Sequence, residues 1–233
     1  MRLVMLSLIA GLGLWAAPAV AVERAVLAPP PAEDAPLTTA PGAETVVLAG
    51  GCFWGVQAVF QHVTGVTKAV SGYAGGAEAT ARYEIVSSGQ TGHAEAVEVT
   101  FDPGVVSYGT ILRIYFSVAH DPTQLNRQGA DVGSQYRSAI FVRDDVQRRL
   151  AERYIAQVNQ SGVFGRPIVT RIDRFEGFYP AEADHQDFAT RHPDHPYIAA
   201  IDQPKLEALK RLFPGVYREE PILVTAARHG KSS

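Results

Sequence analysis

The chain has one cysteine, Cys52, and two methionines, Met1 and Met5, in 233 residues. A lone cysteine excludes an intrachain disulfide framework, a Cys-x-x-Cys dithiol and a cysteine-rich zinc site. Basic charge is not in excess: 21 Lys and Arg stand against 24 Asp and Glu, a formal net charge of -3. A nucleic-acid or membrane-surface binder would show a basic surplus. Long apolar runs are missing too. The run Leu3–Ala17, interrupted by Gly11 and Gly13, is shorter than the ~20 apolar residues of a bilayer span. Charged residues are 19% and hydrophobic residues 46%, so the chain holds enough apolar side chains for a sizeable core and is not a disordered polar chain.

Arg2, the short apolar run and the small-x-small triplet Ala19-Val20-Ala21 have the form of a secretory signal peptide over residues 1–21. Export to the periplasm or the medium is the expectation. Both methionines and Trp15 would leave with the signal, so the mature chain would hold Trp54, Cys52 and no methionine. Methionine is readily oxidised to its sulfoxide, so such a chain suits surroundings rich in oxidants. Residues 22–44, with Pro29-Pro30-Pro31, Pro36 and Pro41, show no apolar periodicity and are expected to be a Pro/Ala-rich linker without chemistry. Residues 218–233 form a mostly polar tail around Ile222-Leu223-Val224.

Strands and helices alternate between these ends. Thr45–Ala49, Val66–Tyr73, His93–Phe101, Tyr136–Val142 and Ile168–Phe175 are strand candidates. Phe53, Val56, Phe60 and Val63 recur at helical spacing, with Gly65 beyond them. Ser107 caps a helix expected to run through Val118. Asp144 caps one with Val146, Leu150, Tyr154 and Val158 on its apolar face, and Pro204 opens one that buries Leu206, Leu209 and Phe213. The alternation predicts a two-layer α/β or α+β domain over residues 45–217, with long loops at Ala74–Thr91 and Ala119–Gln135.

Cys52 sits where a strand, a Gly-Gly break and a helix meet. A thiol there faces the unpaired N–H groups and positive end of the helix, which predicts a lowered pKa; the alternative is a small buried core residue. Phe53 and Trp54 follow directly and would form an aromatic wall suited to a sulfur-bearing group. Phe53 lies on the apolar helical face and Trp54 off it. On the His93–Phe101 strand, Glu95 shares a face with Val97, Val99 and Phe101, whereas Glu98 is on the other face. A carboxyl so placed is either desolvated, with a raised pKa and a proton to donate, or a partnered structural group. Tyr136 and Asp131, in the glycine-flanked stretch Gly129–Arg137, and Tyr83 are candidates for hydroxyl donation and support, or ordinary surface loop residues. His185, His192 and His195 match no zinc signature, so no metal site is expected.

Gly51-Cys52-Phe53-Trp54-Gly55 resembles the GCFWG motif of A-type peptide methionine sulfoxide reductases. Further matches follow in order: Gly72-Tyr73-Ala74-Gly75-Gly76, Thr91-Gly92-His93-Ala94-Glu95-Ala96-Val97, His120-Asp121-Pro122-Thr123-Gln124, Gly133-Ser134-Gln135-Tyr136-Arg137-Ser138-Ala139 and His185-Gln186. The resemblance runs from about Val46 to Tyr197. It implies an α+β fold with a ferredoxin-like core and an open active site. It implies reduction of the S-epimer of methionine sulfoxide, free or in peptides and proteins. By motif match Cys52 is the nucleophile and Glu95 the proton donor. Tyr83 and Tyr136 bind the sulfoxide oxygen, Asp131 supports them, and Phe53 and Trp54 receive the substrate methyl group. No cofactor is implied beyond an external thiol: thioredoxin-like, glutaredoxin-like with glutathione, or a small molecule such as dithiothreitol. The chain departs from many relatives in lacking a resolving cysteine over Tyr197–Tyr217, so an internal disulfide relay is excluded. Rival readings are a cysteine hydrolase using His93 as base, and a non-catalytic ligand- or metal-binding module.

Overall fold

A computed structural model describes residues 25–38 and 42–224. The expected signal peptide and the tail beyond Val224 contain residues outside that range.

The β-branched run at 45–47 opens strand β1 (Glu44–Gly50), which sends Val46 and Leu48 to one face and Val47 and Ala49 to the other. The Gly50-Gly51 break turns the chain into helix α1 (Phe53–Gln61), which ends four residues before Gly65. Strand β2 (Val66–Ala74) follows, then a loop holding the short helix α2 (Tyr83–Val86), and then β3 (Ala94–Phe101). Ser107 caps α3 (Tyr108–Ile114) by accepting from the Thr110 N–H at 3.1 Å, and a wider turn carries the helix on through Ala119. A small hairpin, β4 (Arg127–Gln128) and β5 (Asp131–Val132), and a 3-10 turn over Ser134–Tyr136 lead to β6 (Ser138–Val142). Helix α4 (Asp145–Ser161) starts at the Asp144 cap and closes at Gly162 in the left-handed region. Strands β7 (Arg171–Arg174) and β8 (Phe178–Pro180), α5 (Phe188–Arg191) and α6 (Gln203–Leu212) complete the fold.

The six-stranded sheet has the order β7-β6-β1-β3-β2-β8. It is antiparallel throughout except for the parallel pair β6 and β7. Its centre, β6-β1-β3-β2 with crossovers through α1 and α3, is the ferredoxin-like arrangement in an α+β fold. On one face Val46, Leu48, Val97, Val99 and Phe101 pack with α1, α3, α4 and α6 in the main core. On the other, Ala49, Ala74, Ala94, Ala96 and Ala139 form a thin layer with Val47 and Phe141, covered by Phe175 and Phe178.

Three local expectations change. The strand expected at Tyr136 begins at Ser138, because the Arg137 guanidinium binds the carbonyls of Gly92, His93 and Ser134 and ties the preceding turn to β3. The strand expected over Ile168–Phe175 shortens to Arg171–Arg174. On α4, Leu150, Tyr154 and Val158 are buried, but Val146 is half exposed at the first turn, where the stripe runs out beyond the layer it packs on.

Residues 25–38, within the segment expected to be a linker, lie against the domain. Ala28 is fully buried, with its N–H on Ser117 Oγ and its carbonyl taking Arg113 Nε. Tyr154 and Gln157 donate to the carbonyls of Pro29 and Pro30, and Glu33 pairs with Arg149 and Arg153 of α4. Asp34 accepts from the Gly109 N–H and Ser107 Oγ at the start of α3. Prolines leave carbonyls free for side-chain donors, so a run without apolar periodicity still docks. Among the described residues no helix is long and apolar enough to cross a membrane.

Candidate active site

The chain enters α1 through Gly51, whose φ of +84° suits glycine and whose Cβ position lies 2.6 Å from Gln128 Cγ. Cys52 is the N-cap residue and is 9% exposed. The thiol makes no side-chain cap hydrogen bond to the start of α1. The Phe53 N–H donates to Glu95 Oε2 at 3.1 Å, and the Trp54 N–H favours the Cys52 anion.

Glu95 comes from β3 on the main-core face, as its strand parity requires, and is 3% exposed. Burial pushes its carboxyl up to about 8, against the Phe53 N–H, with the Asp131 charge adding to the rise. A protonated carboxyl therefore stands beside the thiol at neutral pH.

The thiol does not follow the sequence expectation. Burial drives the Cys52 pKa well up, and the Glu95 and Asp202 carboxylates push it further, outweighing the Trp54 N–H. The helix end is there, but the sulfur is desolvated and makes no cap hydrogen bond, and the Phe53 N–H goes to the Glu95 carboxyl. The resting group is the neutral thiol.

The residues expected from separate loops converge. Burial raises Tyr83 and Tyr136, and the charges of Glu95, Cys52 and Asp131 add to the rise at both; the Tyr83 ring stacks on His185, which also meets Phe53. Asp131, on β5, accepts from Tyr197 Oη at 2.5 Å. Phe53 is buried, its ring 5.8 Å from Tyr73 and 5.3 Å from His185. Trp54, half-buried, stacks on Phe188 at 3.8 Å and 11°, is edged by Tyr197 and His195, and donates from Nε1 to His185 Nδ1 at 3.2 Å.

Residues that sequence reasoning did not assign complete the surroundings. Glu182 accepts from Tyr73 Oη at 2.8 Å and from the Tyr83 N–H at 3.0 Å, so it fixes α2 against β2. His185 stacks on Tyr83 with centroids 4.3 Å apart. Tyr197 and Asp202 come from the segment before α6. Glu182 and His185 sit in an irregular segment, where no strand or helix period marks an inward position, and Tyr197 and Asp202 lie in the wider helical turn that runs into α6; the His185-Gln186 pair is the one signal the sequence carried.

His93, the base a hydrolase would need, directs Nε2 to the Ala77 carbonyl at 3.0 Å and meets Tyr73 and Tyr179 edge-on. Among the described residues no group of three His, Cys, Asp or Glu is arranged to hold a metal ion.

A family model described as peptide methionine sulfoxide reductase matches residues 44–214. The chain is 58% identical over 188 residues to a peptide methionine sulfoxide reductase MsrA 2 of Mesorhizobium japonicum, covering 81% of this chain and 96% of that one. It is 52% identical over 176 residues to a protein of the same name from Synechocystis sp., covering 76% and 82%. Among solved structures, the reduced form of Mxr1 from Saccharomyces cerevisiae aligns with a TM-score of 0.59 at 30% identity, over 66% of this chain and 87% of that chain. Methionine sulfoxide reductase A of Corynebacterium diphtheriae aligns with a TM-score of 0.55 at 35% identity, over 66% and 77%.

Proposed function

The chain belongs to the peptide methionine sulfoxide reductase family, and from that premise we propose that Cys52 is its nucleophile and Glu95 the group that moves the proton. The enzyme reduces methionine sulfoxide to methionine at the expense of thiols. One observation carries the residue assignment: a buried, protonated Glu95 is tied by the Phe53 N–H to the turn that bears the only cysteine.

The substrate sulfoxide oxygen accepts the Glu95 proton, with Tyr83 and Tyr136 as the remaining donors to it. Glu95, now a carboxylate, takes the Cys52 proton, and the thiolate attacks the substrate sulfur. The S–O bond breaks as the hydroxyl passes to Cys52 Sγ, the S–S bond formed in the attack opens, and methionine leaves with Cys52 carrying the oxygen as a sulfenic acid. The net step is Cys52–SH plus sulfoxide giving Cys52–SOH plus sulfide, with Glu95 protonated at both ends. A buried thiol is no obstacle, since its proton has a built acceptor once the sulfoxide binds. The S-epimer is the substrate form. Its methyl group packs on Phe53 and Trp54, and Asp131, held by Tyr197, supports the hydroxyl side.

With Cys52 the only cysteine, an outside thiol attacks the sulfenic acid, releasing water and leaving a mixed disulfide. A second thiol then frees Cys52 and carries the disulfide away. A thioredoxin-like protein is the reductant we favour, with glutathione or a glutaredoxin as the second source. Arg2, the short apolar run and Ala19-Val20-Ala21 support work outside the cytoplasm, in the periplasm or the medium.

The test is reduction of a racemic methyl sulfoxide by the full chain with dithiothreitol, read by chiral chromatography. Consumption of one epimer is expected. Cys52→Ser is expected to give no sulfide in a single turnover and no trapped sulfenic acid, with unfolding unchanged. Sulfide formation by that variant at the wild-type rate overturns the assignment. Replacing dithiothreitol with thioredoxin or glutathione systems ranks the reductants.

A further inference from the structure

Asp202 is a charge the mechanism does not use. It lies just before α6 with its side chain fully out of solvent, and its one ionic partner given by geometry is Lys205 Nζ, 3.4 Å from Oδ1. Among the described residues neither carboxylate oxygen has a hydrogen bond of good geometry. Its position is set by α1: a Cβ added at Gly55 would lie 2.1 Å from Asp202 Oδ1. Gly55 is the third helical residue after the Cys52 cap, so the carboxylate rests on the turn that carries the thiol. A buried carboxylate whose oxygens lack hydrogen bonds of good geometry costs stability that an apolar residue of the same size would not. Its presence there calls for a role in charge.

We propose that Asp202 is a positioning residue for the Cys52 thiol, a carboxylate seated on the first turn of α1 and held by Lys205 that keeps the sulfur protonated until a sulfoxide is bound. The inference rests on reading Cys52 as the nucleophile. The groups whose charges or dipoles act on the sulfur, or on which it acts, are Glu95 from β3, Asp131 from β5, Tyr83 from α2, Tyr136 from the 3-10 turn, Tyr197 and Asp202 from the segment before α6, and the Trp54 N–H from α1. At neutral pH Glu95 is protonated and the tyrosines are neutral. Burial raises the Asp202 pKa while Lys205 favours its charge, and the carboxylate of that pair opposes the thiolate. The advantage is selectivity among oxidants. A free thiolate attacks hydrogen peroxide, breaking the O–O bond to give Cys52–SOH and hydroxide, which takes a proton from solvent. A neutral thiol does not, whereas a bound sulfoxide brings its own route for the proton through Glu95.

The test is alkylation of the sole thiol by iodoacetamide from pH 6 to 10, a measurement that needs neither substrate nor turnover. The unmodified protein is expected to titrate above the ordinary thiol value of about 8.5. Asp202→Asn is expected to lower the midpoint by about one unit, which raises alkylation at pH 7.5 about tenfold, and to speed sulfenic acid formation by hydrogen peroxide in proportion. Asp202→Ser, smaller and equally uncharged, gives the same shift if the amide is not accommodated, and Lys205→Arg keeps the wild-type profile. A merely structural Asp202 would alter melting and leave the midpoint in place. An unchanged midpoint in either folded variant overturns the proposal, as does a wild-type thiol titrating at or below about 8.5.

Discussion

The Phe53 N–H donates to Glu95 Oε2 at 3.1 Å, joining the first turn of α1 to the middle of the sheet one residue from Cys52. A helix-end donor without an intrahelical partner thereby satisfies one oxygen of a carboxyl that has left water. The other oxygen is free to carry the proton. Were the carboxyl fully hydrogen-bonded it would ionise; with one donor against nearly complete burial it keeps its proton to about pH 8.

Glu95→Gln keeps the acceptor for Phe53 and removes the proton. The reduction step is expected to slow by about 10²–10⁴. Rapid-quench single turnover with the free sulfoxide reads it, and an unchanged rate and pH profile would remove Glu95 from the mechanism.

The same carboxyl makes stability depend on pH. Its pKa is about 8 folded against an ordinary carboxylate value unfolded, so the folded state holds the extra proton between those limits. Unfolding free energy then falls as pH rises through that window, by at most about 1.4 kcal/mol per unit from this group. Glu95→Gln lacks that loss. Urea titrations at pH 5 and pH 8 are expected to show the variant gaining on the wild type at the higher pH; a gap that stays constant speaks against a buried, protonated Glu95.

Tyr197→Phe deletes the 2.5 Å bond to Asp131 and little volume. A hydrogen bond to a charged group contributes roughly 1.5–3 kcal/mol, so chemical denaturation is expected to register a loss of that order. Because Asp131 then loses the hydroxyl that orients it, kcat/KM is expected to fall as well, while Trp54 fluorescence stays unchanged because the ring that edges it is retained.

Asp34→Ala tests the docked 25–38 segment. Its carboxylate serves the Gly109 N–H and Ser107 Oγ, so the loss is expected to be about 1 kcal/mol, with turnover unchanged because the contact is at the start of α3. Equal melting temperatures for the two proteins would mean that the segment contributes nothing to the domain.

Much of this protein was determined by the sequence alone, because local rules decide it. Strand parity put Glu95 on the face with Val97 and Val99, the Ser107 and Asp144 caps set two helix starts, and the Gly-Cys-Phe-Trp-Gly run and its companions carried the family. The tertiary structure decided what depends on distant segments meeting. Burial and neighbouring carboxylates overrode the helix end at Cys52, so the thiol is protonated where the local rule predicts an anion. Tyr197 reaches Asp131 across 66 positions of chain, Asp202 settles on Gly55, and prolines 29 and 30 give their carbonyls to α4. Desolvation and charge act through space, and no spacing along the chain records them.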